Sequence, residues 1–240
     1  MEQDDVEATM AAVGALADPL RRRLYQFATE QDHPVSRDEA AEAVDTSRSA
    51  AAFHLDRLVE AGLLETEFRR LSGRVGPGAG RPSKLYRRGS HQIALSLPPR
   101  HYDLAADLLA SAVTESARSG APVELALQGL AHRRGAELAG RVRQRCGQRP
   151  GRAAQLRAAV DVLADQGYEP RLVERELVLA NCPFDALVPA QAQAVCSMNH
   201  ALLEGFARAL PEGGFTSRLE PTEGRCCVRL DLDRRPRKRN

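Results

Sequence analysis

Residues 18–88 read DPLRRRLYQFATEQDHPVSRDEAAEAVDTSRSAAAFHLDRLVEAGLLETEFRRLSGRVGPGAGRPSKLYRR. Leu16, Leu20, Leu24 and Phe27 recur at helical spacing and give a first helix one apolar face. His33-Pro34 breaks it. Ser36 stands three residues ahead of Glu39, a capping-box arrangement that opens a second, short helix with Ala40, Ala41 and Val44 free to pack. Asp45 and Thr46 make the turn, and a third helix is expected over 47–61. Ala51, Leu55, Leu58 and Val59 face inward there, and Arg48, Ser49, Ala52, His54 and Arg57 are left for the outer face. Gly62 ends this helix, and 63–68 with 84–88 can pair as two strands. Helix, turn, helix and a hairpin in this order make a winged helix.

Residues 71–88 carry basic side chains and no acidic ones, and the loop between the two strands, 69–84, is too rich in glycine to pack as core. Alone, such a loop reads as a solvated basic segment. Directly after a helix-turn-helix pattern it reads as an arm for phosphates or the minor groove, where the attraction is electrostatic and tolerates a mobile backbone. Small polar and basic side chains at the start of the third helix are what a major-groove reader presents to base edges.

Residues 10–88 resemble the winged-helix domain of ArsR-type bacterial transcription regulators. The resemblance rests on ADPLRRRLYQF, SRDEAAEAVDTSRSAAAFHLDRLVEAGLLE and GRPSKLYR. It implies a homodimer reading a palindromic operator in double-stranded DNA. Carried over by position, it makes Ser47, Arg48, Ser49, His54 and Arg57 recognition-helix contacts and Arg81 and Lys84 wing contacts. One feature of the small metal-sensing members is missing: the first 145 residues hold no cysteine, so the recognition helix cannot carry a thiolate metal site.

The winged helix, 1–89, occupies about a third of the 240 residues, so a second module is expected. With 34 Lys and Arg against 32 Asp and Glu, the case for DNA rests on where the basic residues cluster rather than on total charge. No apolar run approaches the ~18 residues needed to cross a membrane, and MEQDDVEATM lacks a secretory n-region. A cytoplasmic protein is expected. Five cysteines without a leader argue for reduced thiols or ligands rather than a disulfide framework.

A linker at 90–100, with a short extended piece at 93–97 and two prolines, leads to helices at 102–119, 123–146 and 151–166. The arginines of these helices read as a solubilising surface. The apolar stripe Leu104, Leu108 and Ala112 is the expected dimer contact. From Gly167 the periodicity changes to two strands, a helix at 189–210 and two strands at 215–220 and 226–231. The fold class is therefore α+β: an N-terminal winged helix-turn-helix, then helices and a ββαββ module within 101–233, then a basic tail at 234–240.

Cys182, Cys196, Cys226 and Cys227 all fall in this last module. His200 lies four residues after Cys196, on the same helical face, the relation a two-residue metal grip uses. Cys226 and Cys227 are adjacent on an expected strand, which would send only one of them into a shared cluster. Three thiolates and one further ligand suit zinc or an iron–sulfur cluster. The plain alternative is that they are small buried hydrophobes. Cys146, among arginines, reads as incidental. NCPF, VCSMNHALLEG and GRCCVRL are similar to the cysteine-bearing module of the larger ArsR-like regulators, which include SufR-type iron–sulfur sensors. That resemblance implies a cluster or metal on Cys182, Cys196 and one of Cys226 and Cys227.

Together these readings describe a DNA-binding transcription regulator, a repressor, whose operator affinity follows a cysteine-held metal or cluster or a redox signal. The alternative is an architectural DNA binder without a sensor. An enzyme is not expected: no acid or base partner and no phosphate cradle is legible near NCPF.

Overall fold

A computed structural model describes residues 3–70, 82–90, 93–147, 151–210, 214–222 and 224–233. The chain divides into two compact units, Met1–Leu95 and Ser96–Asn240, and is α+β.

In the first unit α1 (Gln3–Ala15) precedes α2 (Pro19–Glu30), β1 (Val35–Ser36), α3 (Arg37–Ala43), α4 (Arg48–Glu60), β2 (Leu64–Arg69) and β3 (Ser83–Arg88). The acidic N-terminal stretch thus forms a helix of its own. The first apolar helix starts only at Pro19, with Asp18 as its cap accepting from the Arg21 backbone N–H at 2.9 Å. Leu16, expected within that helix, lies in the turn ahead of it. The capping box forms as the sequence indicates: Glu39 N–H donates to Ser36 Oγ at 3.2 Å and Ser36 N–H donates to Glu39 Oε2 at 2.7 Å. β1 pairs with β3 and β3 with β2, all antiparallel, so the hairpin is anchored on a third strand that the sequence reading did not contain. Leu24, Leu55, Leu58, Leu64 and Tyr86 are fully buried in one core between helices and sheet.

The second unit holds α5 (Tyr102–Ser119), α6 (Val123–Cys146), α7 (Arg152–Asp165), β4 (Pro170–Val173), β5 (Glu176–Leu179), α8 (Val188–Ala209), β6 (Phe215–Leu219) and β7 (Val228–Leu232). Its antiparallel sheet has the order β4-β5-β7-β6. The ββαββ reading is correct in order and type.

α6 and α8 pack where each contributes a glycine. A Cβ on Gly135 would lie 1.8 Å from Leu202 O, and one on Gly205 would lie 2.0 Å from His132 O. Only glycine lets the two backbones approach so closely. The stripe proposed for dimerisation is used inside the unit instead: Leu108 and Ala112 are buried in its core and Leu104 packs against it. They can bury their apolar surface only once, and α6 takes it.

Candidate functional site

The outer surface of α4 follows from its cap and its buried side. Ser47 caps the helix, accepting from Ala50 N–H at 3.2 Å, and its Oγ lies 3.1 Å from Ser49 Oγ. Ala51, Leu55 and Leu58 face the core, which turns Ser49, Phe53, Arg57 and Glu60 outward. Arg48 is exposed and pairs with Asp38 at 2.5 Å; Arg57 pairs with Glu60 at 2.7 Å. Both are solvent-side pairs of small net worth, so either guanidinium can exchange its carboxylate for a phosphate at little cost.

Two expected contacts need correction, and a third lies outside the described residues. His54 does not face outward. It lies on the flank of α4 against α2, half-buried, where Arg21 Nε donates to its Nδ1 at 3.4 Å. Lys84 is not a free wing cation either. Its ammonium donates to Asp56 Oδ1 at 2.6 Å, and Tyr86 OH donates to the same oxygen at 2.8 Å. Burial works against the Asp56 charge, but these two donors hold its carboxyl below the usual value. Burial and the same bond to Asp56 push the Tyr86 phenol far up. Lys84 thus ties β3 to the middle of the recognition helix. Arg81, the other wing contact, and most of the glycine-rich loop lie outside the described residues, as does the basic tail.

The sequence reading missed Phe53. It is 60% exposed on the outer face of α4, edge-on to His54 at 5.2 Å between ring centroids. Its signal was a large aromatic at a position the helical period turns to solvent.

Residues 16–67 match a family model of a helix-turn-helix domain. The match supports a DNA-binding helix-turn-helix domain in the first unit and, with it, a role as a DNA-binding transcription regulator. No curated protein matches the chain, and no solved structure does. No described helix is long and apolar enough to cross a membrane.

In the second unit the structure brings four thiols together. Cys182 follows β5, Cys196 lies on α8, and Cys226 and Cys227 immediately precede β7. Cys226 N–H donates to Leu179 O at 3.1 Å, which holds it beside the end of β5 near Cys182. The expectation that only one of the adjacent pair joins is overturned, because the strand starts at Val228 and the chain bends at Cys227. Strand alternation therefore does not apply to the two cysteines. In the order Cys182, Cys226, Cys227, Cys196, each thiol lies near enough to the next to shift its ionisation.

A buried amide supports this row. Tyr168 OH donates to Asn199 Oδ1 at 2.6 Å, and Asn199 Nδ2 donates to Cys226 Sγ at 3.2 Å, with Tyr168 and Asn199 both buried. Its polar atoms are paired, as burial demands. Donation to Cys182 and Cys227, together with burial, raises the Cys226 thiol. Burial and its bond to Cys227 push Cys196 up to about 12. Cys227, receiving from Cys226 and Cys196, is lowered to about 6. The bond from Cys226 also lowers Cys182.

His200 does not join the thiols. It sits one helical turn beyond Cys196, opposite β6, with Nε2 3.3 Å from Ser217 Oγ. All-sulfur donors suit zinc or an iron–sulfur cluster chemically. As they stand they form a row, and among the described residues no three His, Cys, Asp or Glu side chains are grouped to hold a metal ion. Cys182, Cys196 and Cys227 also line an open cavity of about 470 Å³, bounded by α8 and the connection between β6 and β7.

Proposed function

We propose that the protein is a sequence-specific repressor that binds a palindromic operator as a homodimer, and that the state of the four-thiol row sets its operator affinity. The observation that carries this reading is the gathering of Cys182, Cys196 and Cys227 at one cavity, with Cys226 buried beside them, in a chain that also bears a helix-turn-helix domain. A row spanning the β5 end, α8 and the β7 start ties three elements together, so a change of its bonding alters their packing. Oxidation is one such change. Zinc or an iron–sulfur cluster belongs to the same proposal: the sulfur donors suit it, and the row would regroup around it.

The test is operator binding by protein purified without oxygen, with its absorption spectrum and metal content measured, before and after diamide and a chelator. Operator affinity should shift about 5- to 150-fold between the two states. Serine at Cys182 or Cys196 should fix one state, whereas serine at Cys146 should leave the response intact. Equal affinity for operator and random duplex leaves only an architectural DNA binder. An unchanged operator affinity under every treatment removes the thiol control.

A further inference from the structure

The arginines of α6 read in the sequence as a solubilising surface, and the structure gives that surface a character such a role does not require. Of the 34 Lys and Arg in the chain, eight lie at 131–157, against one of the 32 Asp and Glu, so the remainder of the chain is net acidic. Ala131, Gly135, Leu138, Ala139 and Val142 turn one side of α6 toward the core. Arg133, Glu137, Arg141 and Gln144 therefore run along the opposite side, all exposed, with Arg134 and Arg145 exposed beside them. Elsewhere in the same unit Arg118, Arg171, Arg208, Arg218 and Arg229 each pair with a carboxylate. On α6, Arg134 pairs with Glu137 at 3.0 Å and Arg145 pairs with Asp165, whereas Arg133 and Arg141 pair with no carboxylate among the described residues. A solubilising face intersperses both signs; this one concentrates a single sign and leaves it largely unmatched.

We infer that this face of α6 binds the phosphates of duplex DNA outside the base pairs that the helix-turn-helix unit reads, an inference that rests on the reading of the chain as a DNA-binding regulator. A first unit held on a duplex brings the rest of the same chain to a high local concentration of phosphates. From Arg133 to Arg141 the helix rises about 12 Å at ~1.5 Å per residue, and duplex DNA carries a charge about every 1.7 Å of its axis, so Arg133, Arg134 and Arg141 find phosphates without a fitted pocket. The guanidinium fork matches phosphate oxygens in geometry as well as in charge. The Arg134 pair with Glu137 lies at the surface, 44% and 65% exposed, and is worth little, so this guanidinium can turn to a phosphate. Such contacts carry no sequence information. They raise the affinity for any duplex long enough to reach the face and leave the choice of operator to α4.

The test uses the full-length chain on a selected operator, either cut to its minimal length or extended by about two helical turns of arbitrary sequence on each side. Extension should tighten wild-type binding on the order of tenfold at low salt and steepen its logarithmic salt slope. The triple variant R133Q/R134Q/R141Q should lose that gain. Its slope on the long duplex should fall by up to about 2.7 for each copy bound, three contacts at ~0.9 each, while binding to the minimal operator stays as in the wild type. Its preference for operator over random duplex of equal length should also be unchanged. Arg143, which donates to Ala209 O, and Arg145 stay in place because they tie α6 to its neighbours, and glutamine is a good helix former, so the Tm should hold. R118Q/R171Q/R208Q removes the same charge from other exposed sites of this unit and should keep the gain. A wild type that gains nothing from the flanks, a triple variant that keeps the gain, or an equal loss in the control variant overturns the inference. Phosphatidylserine vesicles that bind the wild type and not the triple variant, with flanking DNA without effect, would assign the face to a membrane surface instead. If operator and random duplex bind equally while the triple variant alone loses the flank gain, the regulator reading fails and the face stands. If operator preference is intact and the flanks contribute nothing, the face fails and the regulator reading stands.

Discussion

At the residue scale the recognition helix shows what one-dimensional reading can assign. The place of Ser47 and Ser49 at the start of α4 was legible because a helix start is a local feature of the sequence. His54 was misplaced because its polarity suggested solvent, whereas the neighbour that decides its role, Arg21, is 33 residues away. Phe53 was passed over because an aromatic suggests core. Its exposure fits apolar contact with a thymine methyl. F53A should therefore weaken operator binding by ~1 to 3 kcal/mol at the contacted base and flatten the preference there, as read by competition with single-base operator variants. H54A should leave that preference unchanged.

The thiols carry a second expectation at this scale. Cys227 is lowered to about 6 when folded, against 9.0 for an ordinary thiol. Between these values the folded chain binds fewer protons than the unfolded one, so the contribution to stability is full above pH 9.0 and is lost as pH falls through about 6. Cys196, raised to about 12, acts in the opposite direction above 9.0. Iodoacetamide labelling of Cys227 should thus persist at pH 7 and fall off through pH 6, whereas Cys196 stays slow throughout. Equal pH profiles for the two thiols would remove the assignment of donor and acceptor.

At the element scale, helices and their order were legible because capping and period are carried by neighbours in sequence. The pairing of β1 with β3 was not, since two residues carry no alternation, nor was the start of β7. The turn at Gly224, where φ is +75°, and the bend at Cys227 place the two cysteines outside the ladder although their sequence reads as strand. The glycines of α6 and α8 were equally silent, because a helical glycine shows its reason only against its partner. G135A or G205A forces a methyl onto a backbone carbonyl, and relaxation must move a whole helix. Each should destabilise the second unit by ~3 kcal/mol or more, seen as a lower Tm. G129A supplies the control: its Cβ would meet only the Arg133 side chain end at 3.7 Å, so the substitution should stabilise by up to ~1 kcal/mol through helix propensity.

At the scale of the whole molecule, the two-part organisation was legible from the change of periodicity and the prolines near residue 98, but the surface that joins two copies was not. A stripe at helical spacing looks the same whether it faces the chain's own core or a twin, and Leu108 and Ala112 face the core. What α5 leaves to solvent is Leu109, 37% exposed, and Val113, 58% exposed, one turn apart on one face. One recognition helix spans too few base pairs for useful specificity, so two are needed on half-sites about one helical turn apart. L109R with V113R places two charges on the proposed contact and touches no core residue. It should convert a dimer to a monomer by light scattering at micromolar concentration while keeping helical content. Operator binding should weaken to the level of random duplex, and its logarithmic salt slope should fall by about half, because each copy supplies half of the phosphate contacts at ~0.9 per contact. A double variant that remains dimeric would move the interface away from α5. A wild type that is monomeric both free and on operator would remove the palindromic reading altogether.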